Sequence, residues 1–199
     1  MRNITLRAAI YVALVVCFVI LSLALVGCGG GGGSDLTSLI VFNSSRDGNA
    51  EIYVMDETGD TQTRITNNSV YDGAPEWSPD GEQIVFMSQR SGNADIWVMD
   101  ADGGNKRQVT NLGAASFAPF FHPAGDRIVF SSNSGDPSGR EFELYLVGLD
   151  GSGLEQVTFS GGFDGFPMFA PDGTTFVFCS NRHNSKPGET NIFITEWVD

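Results

Sequence analysis

Two histidines and three cysteines, with 24 Asp or Glu against 11 Lys or Arg, are the residues of this chain equipped for chemistry. No Gly-x-Ser-x-Gly elbow occurs, which removes the exposed serine nucleophile of the common hydrolase turn. His122 stands beside a turn, where similar stretches carry Ser78 and Ala170, and reads as structural. His183 lies in a polar loop, residues 181–190, with Lys186 and Glu189; a lone loop histidine is more often solvated than catalytic, although it can serve a ligand. The stretch DADGGN, residues 100–105, approaches a calcium loop but lacks the glycine at its sixth position and the closing glutamate. With counterparts at Asp56 and Asp150 it reads as a turn, so neither a metal nor another cofactor is expected. Carboxylates are abundant, but no spacing selects an acid/base pair, and no catalytic residue is assigned.

The charged residues that draw attention recur. Asp72 and Asp164 both precede Gly-x-Pro, with Ser116 in the intervening copy; Arg46, Arg90 and Arg182 share a second position, with Ser134 as its exception. Recurrence within one chain points first to architecture: ion pairs that tie neighbouring units or cap loop amides. The sharper expectation is a charged rim that receives a peptide or cation. Tyr71, Phe117 and Phe163 lie near the same connections and would supply aromatic anchors for a protein partner if exposed, or pack between units if not.

The elements that position these residues follow from the recurrence. Phe42, Phe86 and Phe130 are 44 residues apart and Phe178 follows 48 later, the extra four falling in residues 137–140; between residues 40–67 and 84–111, 15 of 28 positions are identical. A period near 44 residues predicts a β-propeller blade of four strands. One unit reads as strands over 74–78, 83–88, 95–99 and 107–110, with a turn at Pro79-Asp80-Gly81, where proline presets φ and glycine takes the left-handed conformation. IVF and IWVM are continuous apolar runs, as expected where both faces of a small sheet are covered. The second and third strands occur four times, the inner strand three times, and the sequence stops before a fourth outer strand. The expected fold is all-β, an incomplete propeller of about 3.5 to 4 blades. Its first strand would present an unpaired inner edge, which proteins normally avoid.

EWSPDG, FAPDG, SQRSGNADIWVMDADG and the ending PGETNIFITEWVD resemble the TolB-like propellers built from WD40-like Pro-Asp repeats, over essentially all of residues 39–199. The resemblance implies extracytoplasmic binding scaffolds or the propeller halves of serine peptidases, usually with six or more blades.

The N-terminus speaks for export. MRNITLR carries two arginines and no acid before an apolar run over residues 8–26. Leu25-Val26-Gly27-Cys28 resembles the lipobox of bacterial lipoproteins, in which the cysteine is acylated and becomes the new N-terminus; a retained membrane helix is the alternative. The expected organisation is a signal peptide over 1–27, a lipidated Cys28 with a glycine-rich tether over 28–38, and propeller repeats over 39–199. Acylation of Cys28 would leave Cys179 alone beyond the leader, without a disulfide. A net charge of −13 repels phosphate backbones and argues against nucleic acid.

The function expected from sequence is a membrane-anchored, extracytoplasmic scaffold, non-catalytic, that binds an envelope protein or peptide through its looped face. A second copy completing the ring is a further expected partner. The alternatives are a carbohydrate-acting propeller enzyme with a metal, and a truncated paralogue without independent function.

Overall fold

A computed structural model describes residues 22–23, 39–137, 139–183, 186 and 188–198. Most of the leader, Cys28 and the glycine-rich tether lie outside the described residues.

The described chain is all strand and turn. The first sheet runs β1 (Ser22–Leu23), β2 (Leu39–Ser44), β3 (Glu51–Asp56) and β4 (Gln62–Arg64). The second comprises β5 (Asp72–Trp77), β6 (Gln83–Ser88), β7 (Asp95–Asp100) and β8 (Arg107–Gln108). The third comprises β9 (Ser116–Phe121), β10 (Arg127–Ser132), β11 (Glu143–Gly148) and β12 (Glu155–Gln156), and the last has three strands, β13 (Asp164–Phe169), β14 (Thr175–Ser180) and β15 (Asn191–Glu196). All pairings within the sheets are antiparallel between sequential strands, the meander of a propeller blade, and the sheets do not close into a ring. The edge of β2, expected bare, carries β1 instead, with Ser22 opposite Val41 and Leu23 opposite Ile40. Among the described residues no helix is long and apolar enough to cross a membrane.

Apolar residues at matching positions build three clusters, each shared by two sheets. Val41 and Ile52 meet Trp77, Ile84, Phe86 and Met99. Val85, Ile96, Val98 and Val109 meet Phe121, Ile128, Phe130 and Tyr145. Val129, Leu144 and Leu146 meet Phe169, Phe176 and Phe178. The IVF run is thus buried on both faces: Ile84, Val85 and Phe86 are all fully inaccessible.

Polar repeats lock each blade. A hydroxyl after the fourth strand, from Thr66, Thr110 or Thr158, accepts the N–H of Ile52, Ile96 or Leu144 at 2.8–2.9 Å. The same hydroxyl donates to Glu51, Asp95 or Glu143 at the start of the third strand. Neighbouring blades are clasped by backbone bonds from Asp72 N–H to the Ala50 carbonyl, Ser116 to Ala94 and Asp164 to Phe142. At the turn after the inner strand, Asp80 accepts from the Ser78 hydroxyl and the Glu82 N–H, which holds its carboxyl below the ordinary range. His122 substitutes for Ser78 there: it is buried, its Nδ1 accepts the Ala124 N–H, and its ring lies against Phe169.

Gly59, Gly103 and Gly151 occupy one turn position at φ +76° to +84°. A Cβ at Gly103 would lie 2.7 Å from the Ile65 carbonyl oxygen of the preceding blade, and at Gly151 2.8 Å from that of Val109, whereas Gly59 has nothing within 4 Å. Gly59→Ala should therefore cost only the left-handed backbone term, about 1–2 kcal/mol. Gly103→Ala should cost distinctly more, because backbone must shift to admit the methyl. Urea unfolding of the two variants side by side checks this; equal losses would mean the contact between blades is soft.

Candidate functional site

The inner strands begin next to the loops between second and third strands, and this end of the blades carries every site residue predicted from sequence except Cys28. Three backbone bonds fix the juncture: Gln89 N–H to the Tyr71 carbonyl, Asn133 to Ala115 and Asn181 to Phe163. Three residues on from these carbonyls, each inner strand bulges. Ala74, Ala118 and Phe166 take φ of +50°, +49° and +56° there, each before a proline. Side chains with a Cβ rarely adopt this conformation, so three copies of it mark an imposed geometry.

The charged repeat closes within a blade. Arg90 Nε donates to Ser88 Oγ at 2.8 Å, Nη2 to Asp72 Oδ2 at 2.6 Å, and the guanidinium lies over the rings of Trp97 and Phe86, 4.9 and 5.4 Å from their centroids. Arg182 repeats this with Ser180, Asp164, Phe178 and Phe193. Arg46 bonds Ser44 and Gln62 over Phe42 and Tyr53, and its side chain is exposed. In the third blade Ser116 Oγ bonds Ser132 Oγ at 3.1 Å instead. Asp72 and Asp164 are fully buried, and Oδ1 of each has no hydrogen-bond partner. The pairs join an inner strand to a loop of the same sheet, rather than one blade to the next.

The tie between blades is one that sequence reading missed. Glu51, fully buried, accepts from Thr66 Oγ1, the Asn68 N–H, Asn49 and Arg64. Burial alone would raise its pKa; these donors outweigh that and hold it below the usual range. Asn68 also donates to Asp72 Oδ2 at 2.7 Å, so Arg64, Glu51, Asn68, Asp72 and Arg90 form one chain from the first blade to the second. The signal was present in the period: Glu51, Asp95 and Glu143 recur 44 and 48 residues apart, the longer step spanning the four extra residues at 137–140.

The predicted aromatics separate into two places. Tyr71, 38% exposed, folds its ring back over Gly73, where an added Cβ would lie 2.4 Å from the ring. Phe163 covers Gly165 in the same way. Phe117, Phe142, Phe163 and Phe166 form a cluster, with centroids 5.1 Å apart for Phe117 and Phe142, 5.8 Å for Phe117 and Phe166, and 6.5 Å for Phe117 and Phe163. All four are half-buried. Phe142 stands where other copies have Ala50 and Ala94, and Phe166 where they have Ala74 and Ala118. Bulk gained against the repeat was the sequence signal for both. His183, at φ +60°, is exposed in the loop beside Arg182. At the turns, Asp100 and Asp102 accept from Asn105 and the Gly104 N–H, and no group of three or more His, Cys, Asp or Glu among the described residues is placed to hold a metal.

A family model described as the TolB beta propeller domain matches residues 34–136, more than half of the chain. The chain belongs to the TolB beta propeller domain family. The match begins ahead of β2 and continues into the third blade of this TolB propeller chain. Among solved structures it is similar to a protein assigned as TolB from Agrobacterium tumefaciens, at 27% identity and a TM-score of 0.68, over 79% of this chain and 57% of that one. TolB from Acinetobacter baumannii matches at 22% identity and a TM-score of 0.68, over 89% of this chain and 40% of that one. An oligogalacturonate lyase in complex with manganese matches at 15% identity and a TM-score of 0.56, over 78% and 46%. The chain thus spans less than two thirds of the length of each. No curated protein matches it by sequence.

Proposed function

We propose that this TolB propeller chain is a lipid-anchored, extracytoplasmic scaffold that binds an envelope protein or peptide and does no catalysis of its own. The observation that carries the reading is the cluster of Phe117, Phe142, Phe163 and Phe166, half-buried at the looped end and assembled from residues that depart from the repeat. Partly exposed aromatic rings held rigid by one another are the side chains that anchor protein partners at little entropic cost. Asp72, Asp164, Arg46, Arg90, Arg182 and His183 border this end, and Tyr71 adds a separate, partly exposed ring on the second blade. Cys28, acylated, holds the domain at the membrane on its glycine-rich tether.

The test is covalent capture in the cell. The full chain and its Phe117→Ala/Phe163→Ala variant are cross-linked with formaldehyde in the envelope and purified, and their adducts are compared. The adducts should disappear in the variant while its thermal transition stays within a few degrees of the parent; unchanged adducts would remove this face from the reading. The lyase likeness supports one other reading, a carbohydrate-acting enzyme with a metal. Stoichiometric manganese in the purified full chain would favour that reading over the scaffold.

A further inference from the structure

Of the three arginines that share one blade position, two grip a buried acid. Arg90 donates from Nε to Ser88 Oγ at 2.8 Å and from Nη2 to Asp72 at 2.6 Å; Arg182 donates to Ser180 Oγ at 2.9 Å and to Asp164. Arg46 holds the same posture. Its Nε donates to Ser44 Oγ at 3.0 Å, and its guanidinium lies 4.8 and 5.4 Å from the Tyr53 and Phe42 centroids, against 4.9 and 5.4 Å for Arg90 over Trp97 and Phe86. Nη1 donates to Gln62, but Nη2, the nitrogen that takes the acid in both other copies, meets no carboxylate among the described residues.

The sequence explains the difference. The acid opens the inner strand, with Asp72 opposite Ser88 and Gly73 opposite Met87, and the residue 44 positions before Asp72 is Cys28. β1 meets β2 only at Val41 and Ile40, so the places opposite Ser44 and Asn43 have no strand partner among the described residues. The adjacent Asp47 is engaged elsewhere: it accepts the Tyr53 hydroxyl and lies 3.7 Å from Arg64. A guanidinium stacked on two rings and tied through Nε and Nη1 is ordered before a ligand arrives, so an acid at Nη2 gains a charge-assisted bond at little entropic cost.

We infer that Arg46 is a receptor for a side-chain carboxylate on an extended segment of a partner protein, an acid followed by a small residue, laid antiparallel to β2 opposite Ser44 and Asn43. Asp72-Gly73 and Asp164-Gly165 are this chain's own examples of the pattern. The inference adds a partner chemistry to the scaffold reading and uses neither Cys28 nor the Phe117 cluster, so either can fail without the other.

The full chain, carrying isotope-labelled arginine, is purified in detergent and titrated with the peptide Val70–Ala74, acetylated and amidated so that Asp72 is its one carboxylate, and with its Asp72→Asn form. The Arg46 Nε–H resonance, identified by its loss in Arg46→Gln, should shift saturably with the first peptide and with roughly tenfold lower affinity for the second. Saturation transfer to the first peptide should fall in Arg46→Gln and hold in Arg140→Gln, which removes the same charge from an exposed position of the third blade. An Arg46 resonance that does not move overturns the inference, an acid from within the chain at Nη2 being one cause. An equal response to both peptides overturns it, and so does an equal loss in Arg140→Gln, which would mean that overall charge alone attracts the peptide.

Discussion

Arg90→Ser will destabilise the protein by about 3–5 kcal/mol, the usual cost of leaving a buried carboxylate without its cation. Asp72 is fully inaccessible, its Oδ2 is held by Arg90 at 2.6 Å and by Asn68, and its Oδ1 has no hydrogen-bond partner. Removing the guanidinium therefore strands a charge that Asn68 alone cannot satisfy. It also removes the cation from the face of Trp97. The chain carries its own control in the third blade, where Ser116 and Ser134 replace the pair without loss of the strand register between β9 and β10. Asp72→Ser/Arg90→Ser should accordingly lose less than Arg90→Ser alone. Denaturant midpoints for the parent, both single variants and the double variant measure the coupling. A double variant less stable than either single one would mean that the pair is not the unit that matters.

Phe130→Ala should cost a similar amount, about 3–5 kcal/mol, by a different route. Phe130 is fully inaccessible, stacks on Tyr145 at 5.9 Å, and belongs to the cluster joining the second and third sheets. Truncating it opens a void at the middle seam, and side chains from both blades are already committed to their own strands, which limits collapse into the space. Against a total stability of roughly 5–15 kcal/mol, that loss is a large fraction. Phe159→Ala is the matched comparison: its ring is 77% exposed and the change should stay within about 0.5 kcal/mol. Thermal and urea unfolding of the two variants decide this. A small loss at Phe130 would show that the blades share less cohesion than their packing implies.

The sheets were legible because the period was. Four copies of the second and third strands, the turn at Asp80-Gly81 and the structural place of His122 all follow from aligning the sequence with itself, and the strands agree with that reading to within two residues. What the alignment could not convey was direction. Asp72 and Arg90 were visible as recurring residues, but 18 positions of separation do not say whether a pair closes within a blade or across two. The bulges at Ala74, Ala118 and Phe166 were hidden because alanine and phenylalanine before proline give no signal for a left-handed backbone. Phe142 and Phe166 were overlooked although each replaces an alanine of the repeat, and they complete the cluster that Phe117 and Phe163 only began. The pairing of Ser22–Leu23 with β2 was masked by the apolar run around it, which reads as a leader.

Each apolar cluster draws one half from the outgoing face of one sheet and the other half from the incoming face of the next. The cooperative element of this molecule is therefore the seam, and the 44-residue repeat is a unit of inheritance without being a unit of folding. In a chain emerging from its N-terminus, a completed blade still has a bare flank until the following inner and second strands are made, such as β5 and β6, the latter ending at Ser88, after β4 ends at Arg64. Every intermediate of synthesis thus carries one open seam at its growing end. Aggregation during production would begin there, and a chaperone protecting this chain would need to recognise only that one recurrent surface.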